Sequence, residues 1–236
     1  KNSEGFSTEN INLINGLTLE ISATVEHYTQ KNLARTLADT FIGKRAGTRV
    51  LDGQVHRGDG EFIEAVIWMS DLRGFTQFAQ TREPAVLLDA INTYFEVITH
   101  AVSENNGEVL KFIGDAVLAI FPVDGDKSAA LRNAEHAIER VLSAKNDSDW
   151  PDGLEFGIGL HIGEVFYGNI GGRTRLDFTV IGQAVNLVSR IEGLCRDLSA
   201  RCLVSEEVAL NSERMYVLAA EKTVKGVDYP VKIYRR

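Results

Sequence analysis

Two carboxylates and a lysine stand where an otherwise apolar stretch gives no packing reason for them. Asp71 comes straight after "FIEAVIWMS", whose apolar run Ala65–Met69 has the look of a strand buried on both faces. Asp115 lies in "KFIGDAVLAIF", residues 111–121, at the turn Ile113-Gly114-Asp115, and Lys111 precedes it by four positions. If the first strand and this hairpin are sheet neighbours, the two aspartates converge. Converging carboxylates suit Mg²⁺, which takes oxygen ligands and keeps positions open for phosphate. Two such ions about 4 Å apart activate an attacking oxygen and stabilise a leaving one. "LRGFT", directly after Asp71, offers main-chain N–H groups at a turn that can cradle phosphate oxygens. Further on, Asn186 and Arg190 are four apart and share one helix face. Taken singly, each has a plainer reading. An Asp at a strand end is a cap or turn former, a polar helix face is a solvated face, and Lys111 with Asp115 is a salt bridge across a turn.

The elements that must place these groups follow from periodicity. Leu13, Leu17, Ile21, Val25 and Tyr28, and then Leu33, Leu37 and Phe41, recur at helical spacing and predict two helical stretches before Gly43. These read equally as a dimer-forming linker that passes a signal downstream and as helices on the domain's own surface. A glycine-rich turn, "GQVHRGDGEF", precedes the first strand. Pro84 opens a helix with Val86, Leu87, Ala90, Ile91, Tyr94, Phe95 and Ile98 on its inner side, and Gly107 follows its end. A hairpin of Glu108–Phe112 and Ala116–Phe121 comes next, then an amphipathic helix carrying Ala130, Leu131, Ala134, Ile138, Val141 and Leu142. "EFGIGLHIG", "EVFYGNIGG" and "RLDFTVIG" read as three further strand-like segments, and Gln183 begins a third helix. The order β-α-β-β-α-β predicts an α+β fold: a ferredoxin-like sheet with helices on one face, C-terminal additions, and N-terminal helices ahead of it. Residues 1–45 are assigned to a helical linker or transducer and 46–236 to the catalytic domain.

Composition narrows the function. With 236 residues, 44% apolar content and a net charge of −8, the chain is a globular domain with no blanket attraction to nucleic acid or anionic membranes. An anionic substrate would need local basic groups or metal ions. Cys195 and Cys202 form neither a metal pattern nor a disulfide framework, as expected of reduced thiols in a cytoplasmic protein. No apolar run approaches the ~18 residues of a spanning helix. The chain starts at Lys1, so an upstream sensor or membrane anchor would be invisible in it. "FIGKRAG" lacks the spacing of a phosphate-binding Walker loop. His161, inside a strand pattern, reads as a satisfied core residue.

Three blocks, "MSDLRGFT", "GEVLKFIGDAVLAIF" and "RLDFTVIGQAVNLVSRIE", occur in order, and with them the chain from about residue 50 to 236 resembles the class III nucleotide cyclases. The resemblance implies conversion of a nucleoside triphosphate to a cyclic nucleotide and pyrophosphate, with two Mg²⁺ or Mn²⁺ ions, at the interface of a head-to-tail homodimer. It implies that Asp71, Asp115 and the carbonyl of Leu72 hold the metals. Gly74, Phe75 and Thr76 then line the phosphates, Asn186 orients the ribose, and Arg190 stabilises charge on the α-phosphate. Lys225, in "VKG", resembles the lysine on the terminal phosphates.

Lys111 and Thr179 fall at the family's base-reading positions. An ammonium only donates, which suits the N1 acceptor of adenine, whereas guanine presents N1–H. ATP is therefore the expected substrate. Thr179 departs from the Asp common among adenylate cyclases; its hydroxyl accepts from the adenine amino group and also donates. Asp177, two residues earlier, is expected to be a plain polar strand residue. Guanylate cyclase is the alternative enzyme, and a non-catalytic nucleotide-binding module the alternative of another class. The family geometry also implies that Asp115 serves one site of the dimer and Lys111 the other.

Overall fold

Fourteen residues, Gly60–Arg73, form the central strand β1. The computed structural model describes residues 6–146, 150–224 and 230–236. Two compact units make up the chain, Lys1–Gly53 and Gln54–Arg236.

In the first unit, α1 runs unbroken from Thr8 to Phe41 over 34 residues. Ser7 caps it by accepting from the Asn10 N–H. The two helical stretches expected from the apolar spacing are therefore one helix; the polar Gln30-Lys31-Asn32 between them interrupts the stripe, not the backbone. The short α2, Lys44–Leu51, folds back on α1. Their close approach needs Gly47, where a Cβ would lie 2.9 Å from the carbonyl carbon of Ala38.

In the second unit, α3 (Phe75–Thr81) and α4 (Pro84–Glu104) follow β1. The hairpin β2 (Glu108–Ile113) and β3 (Ala116–Pro122) comes next, then α5 (Lys127–Ala144). Strands β4 (Glu155–Gly171) and β5 (Leu176–Ile181) lead into α6 (Gln183–Asp197). The described chain closes with β6 (Cys202–Ser205), α7 (Glu206–Asn211), β7 (Val217–Lys222) and β8 (Val231–Arg235). The described strands form one eight-stranded sheet ordered β2-β3-β1-β4-β6-β8-β7, with β5 paired to β4. This is the βαββαβ core with C-terminal additions that the element order predicts.

The segments "EFGIGLHIG" and "EVFYGNIGG" do not form two strands. They are the single 17-residue strand β4, paired antiparallel with β1 from Arg73↔Glu155 to Gly60↔Gly168. The glycines that look like punctuation serve another purpose. Alternate residues of a strand face opposite sides. Phe156, Ile158, Leu160 and Ile162 point to the face covered by α4 and α5, where they join Trp68, Tyr94, Ile98, Leu131 and Phe121 in the main core. Gly157, Gly159 and Gly163 point to the other face, and α6 lies directly on them. A Cβ at Gly159 would come within 2.7 Å of the Glu192 nitrogen and 2.8 Å of the Val188 carbonyl. The helices thus do not share one face: α4 and α5 cover one side, and α6 the other.

Candidate active site

Asp71 lies inside β1, not after it: the strand continues to Arg73, held by the pairs Asp71↔Gly157 and Leu72↔Phe156. On the α4 side its neighbour Ser70 is fully buried and accepts from the Tyr94 hydroxyl at 2.9 Å. By alternation Asp71 belongs to the α6 side. Asp115 is brought there by the β2–β3 turn. Ile113 pairs with Ala116, which leaves Gly114 and Asp115 as a two-residue loop, and Gly114 takes the positive φ of 67° that such a loop needs at its first position.

The two aspartates meet. Desolvation pushes Asp71 from the ordinary 3.8 up to about 6, and the charge of Asp115 and a hydrogen bond with it push the same way, against a lowering bond from the Leu72 N–H. The Asp71 Oδ1 atom is buried with no hydrogen-bond partner. A third acid, not foreseen from the sequence, joins them. Glu192 on α6 rises to about 7, first by desolvation, then by the charge of Asp71, with Arg73 opposing and Asp115 adding. Its Oε1 would be 2.5 Å from a Cβ at Gly157, the strand partner of Asp71. The available signal was helical: Glu192 stands four residues after Val188 and three before Cys195, both buried against the sheet.

Asn186 and Arg190 occupy the opposite, exposed arc of α6. The helix therefore turns Glu192, not this pair, toward the aspartates of its own chain. Gly74, Phe75 and Thr76 open a helix where a turn was expected. Gly74 is the N-cap of α3, left-handed at φ 68°, and no side chain caps the helix. Its first N–H groups are thereby left for another acceptor.

The two positions expected to read the base lie on other strands, Lys111 on β2 and Thr179 on β5. Lys111 does not bridge to Asp115. Its Nζ lies 3.3 Å from Oδ2 of Asp177 on β5, so Asp177 is more than the plain polar residue expected. Thr179, on the same strand, is buried, and its Oγ1 has no partner. The Tyr167 hydroxyl of β4 donates to the buried Glu108 of β2 at 2.6 Å, and its ring packs edge-on against Phe178 of β5 at 4.8 Å. These contacts tie β5 and β2 to the same residue of β4. His161 is a buried residue bonded to the Ser205 hydroxyl at 2.9 Å, as read from its strand pattern. Lys225 lies outside the described residues.

A family model described as the adenylate and guanylate cyclase catalytic domain matches residues 60–232. The chain belongs to this cyclase family. An adenylate cyclase of Anabaena cylindrica is 31% identical over 227 residues, which cover 92% of this chain and 45% of that protein. A solved bacterial light-regulated adenylyl cyclase superposes with a TM-score of 0.72 at 26% identity, covering 92% of this chain and 64% of that one. A solved guanylyl cyclase gives a TM-score of 0.62 at 29% identity, covering 75% and 92%. This cyclase domain thus resembles enzymes named for either purine, and it spans less than half of the Anabaena protein's length. Among the described residues no helix is long and apolar enough to cross a membrane.

Proposed function

We propose that this cyclase domain is an adenylate cyclase, converting ATP to 3′,5′-cyclic AMP and pyrophosphate. The observation that carries the reading is the meeting of Asp71 and Asp115, with Asp71 held up near 6 and its Oδ1 without a partner. Two hard oxygen donors that resist ionising together, one with an orphaned atom, fit a divalent cation. Asp71, Asp115 and the Leu72 carbonyl are the groups to hold two Mg²⁺ or Mn²⁺ ions. Bound there, the ions supply Lewis-acid stabilisation and make the ribose hydroxyl more acidic. The 3′-oxygen forms a bond to the α-phosphorus, the bond from that phosphorus to the β-phosphate oxygen breaks, and the hydroxyl proton leaves to solvent. Arg190 donates to the phosphate oxygens as charge builds on them, and Asn186 holds the ribose. The N–H groups of Gly74, Phe75 and Thr76, with Lys225, take the remaining phosphates. Lys111 donates to adenine N1, and Thr179 meets the 6-amino group.

A head-to-tail homodimer accounts for the division of these groups. Arg190 and Asn186 face away from the aspartates of their own chain, so a partner's aspartates are the ones they serve. The α1 helix then acts as a linker from an upstream sensor or membrane domain, with the cyclase domain on the cytoplasmic side. The test is incubation of the purified protein with ATP or GTP and Mn²⁺, with cyclic nucleotide and pyrophosphate quantified. Cyclic AMP is expected as the main product. Faster turnover of GTP would make the enzyme a guanylate cyclase, and nucleotide binding without product by a confirmed dimer would make it a signalling module.

A further inference from the structure

The Lys111–Asp177 pair carries a role beyond the assignments above. Asp177 and Thr179 are two apart on β5 and so share a face, while Phe178 between them turns to Tyr167. The Lys111 ammonium, 3.3 Å from Asp177, is thereby placed on the same face as the Thr179 hydroxyl. Thr179 is only 4% exposed, and its Oγ1 has no partner within the chain. A buried hydroxyl without a partner is costly unless a ligand supplies one. An ammonium held by Asp177 is a donor at a fixed place on the same face as that waiting hydroxyl. Lysine otherwise carries a point charge on a flexible four-carbon stem, and an unrestrained donor discriminates poorly between ring edges. Asp177 also has a charge effect of its own. A bare carboxylate on this face would accept from N1–H and the 2-amino group of guanine. Paired with Lys111, it is occupied.

We propose that Asp177 is a specificity-determining positioning residue: it fixes the Lys111 ammonium beside Thr179 and is itself masked from guanine by that pairing. The proposal rests on the assignment of Lys111 and Thr179 to base recognition. The pair is partly open to solvent, with Lys111 30% and Asp177 53% exposed. The effect of losing it is therefore modest, about 1.5-fold to fivefold.

The experiment measures binding of the non-cyclisable 3′-deoxy-ATP and 3′-deoxy-GTP by calorimetry with Mn²⁺, using the full chain and its Asp177→Asn, Asp177→Glu, Lys111→Ala and Lys111→Ala/Asp177→Asn variants. Asp177→Asn is expected to lower the preference for the adenine analogue about 1.5-fold to fivefold, with the guanine analogue bound no more weakly. Asp177→Glu should restore the preference. Lys111→Ala should lower it further by unmasking the Asp177 carboxylate, and adding Asp177→Asn should bring guanine affinity back down. An unchanged preference in Asp177→Asn, with Lys111→Ala clearly shifted, overturns the role of Asp177 and leaves base reading by Lys111 standing. An unchanged preference in Lys111→Ala, or no binding of either analogue to the wild type, overturns the base-reading assignment and the inference with it.

Discussion

The acidic group beneath α6 should make the metal-free protein less stable as pH rises through the range where most proteins are insensitive. Asp71 and Glu192 have folded-state values near 6 and 7 against ordinary values of 3.8 and 4.5. Between those limits the folded chain holds protons that the unfolded chain has lost, so stability falls with increasing pH and levels off above about 7. Each pH unit of separation corresponds to about 1.4 kcal/mol. Both groups are only partly buried and the Glu192 value depends on Asp71, so the combined loss is discounted to about 2–3 kcal/mol. At about 2–4 °C per kcal/mol for a domain of this size, the melting temperature should drop by roughly 4–12 °C between pH 5 and 7.5. Opposing contributions lie elsewhere on the pH scale. Glu139, lowered to about 2 chiefly by its hydrogen bond with Arg214, and Glu207, lowered to about 2 chiefly by its bond with His161, contribute stability that is lost only as pH falls from about 4.5 toward 2. The assay is thermal unfolding with chelator across this pH range, repeated with Mn²⁺. A cation between the carboxylates should recover more at pH 7.5 than at pH 5. Asp71→Asn should make the pH profile shallower, leaving the part that desolvation of Glu192 supplies, and abolish the added stabilisation by Mn²⁺. A flat wild-type profile, or equal Mn²⁺ stabilisation in wild type and Asp71→Asn, refutes the reasoning.

Three further outcomes are expected. Gly159→Ala should cost about 2–3 kcal/mol of stability in denaturant unfolding, because its Cβ would meet α6 backbone atoms at 2.7 and 2.8 Å, and cyclase activity should fall with the displacement of α6. Tyr167→Phe should cost about 1–2 kcal/mol by taking one donor from the buried Glu108 carboxylate, read as a lower melting temperature. An equimolar mixture of Asp115→Ala and Lys111→Ala chains should regain about a quarter of wild-type turnover, since half the dimers are mixed and each mixed dimer has one intact site.

Much of this arrangement could be read from residue order, and the failures have common physical causes. The helix from Pro84, the hairpin around Gly114 and the buried first strand were readable because each carries local signals: a proline at a helix start, a glycine with positive φ, an unbroken apolar run. Strand β4 reads as two segments because Gly163 with Glu164 looks locally like a turn. Its glycines instead answer a tertiary demand, the closeness of α6, which no local pattern expresses. The division of α1 has the same origin: a polar patch breaks an apolar stripe without breaking a helix that is exposed on most sides. Glu192 carries no such signal, because an acid on a helix is usually solvated. Its position over a glycine that pairs with Asp71 exists only once the sheet register is known.

The same logic settles how the charges in "KFIGDAVLAIF" relate to one another. Lys111 and Asp115 are four residues apart, and a turn between strands would let them pair. The hairpin register directs them elsewhere: Asp115 in the loop reaches Asp71 on β1, while Lys111 on β2 reaches Asp177 on β5. Opposite charges this near would neutralise each other and satisfy neither a metal nor a purine. Separate partners keep Asp115 beside Asp71 and Lys111 beside Asp177. That division, within one chain, is what the proposed two-chain site requires: in it, each protomer would keep its acids for one nucleotide and Lys111 and Thr179 for the other. The mixing experiment tests that division directly, because it recovers activity only if the two residues act in different sites.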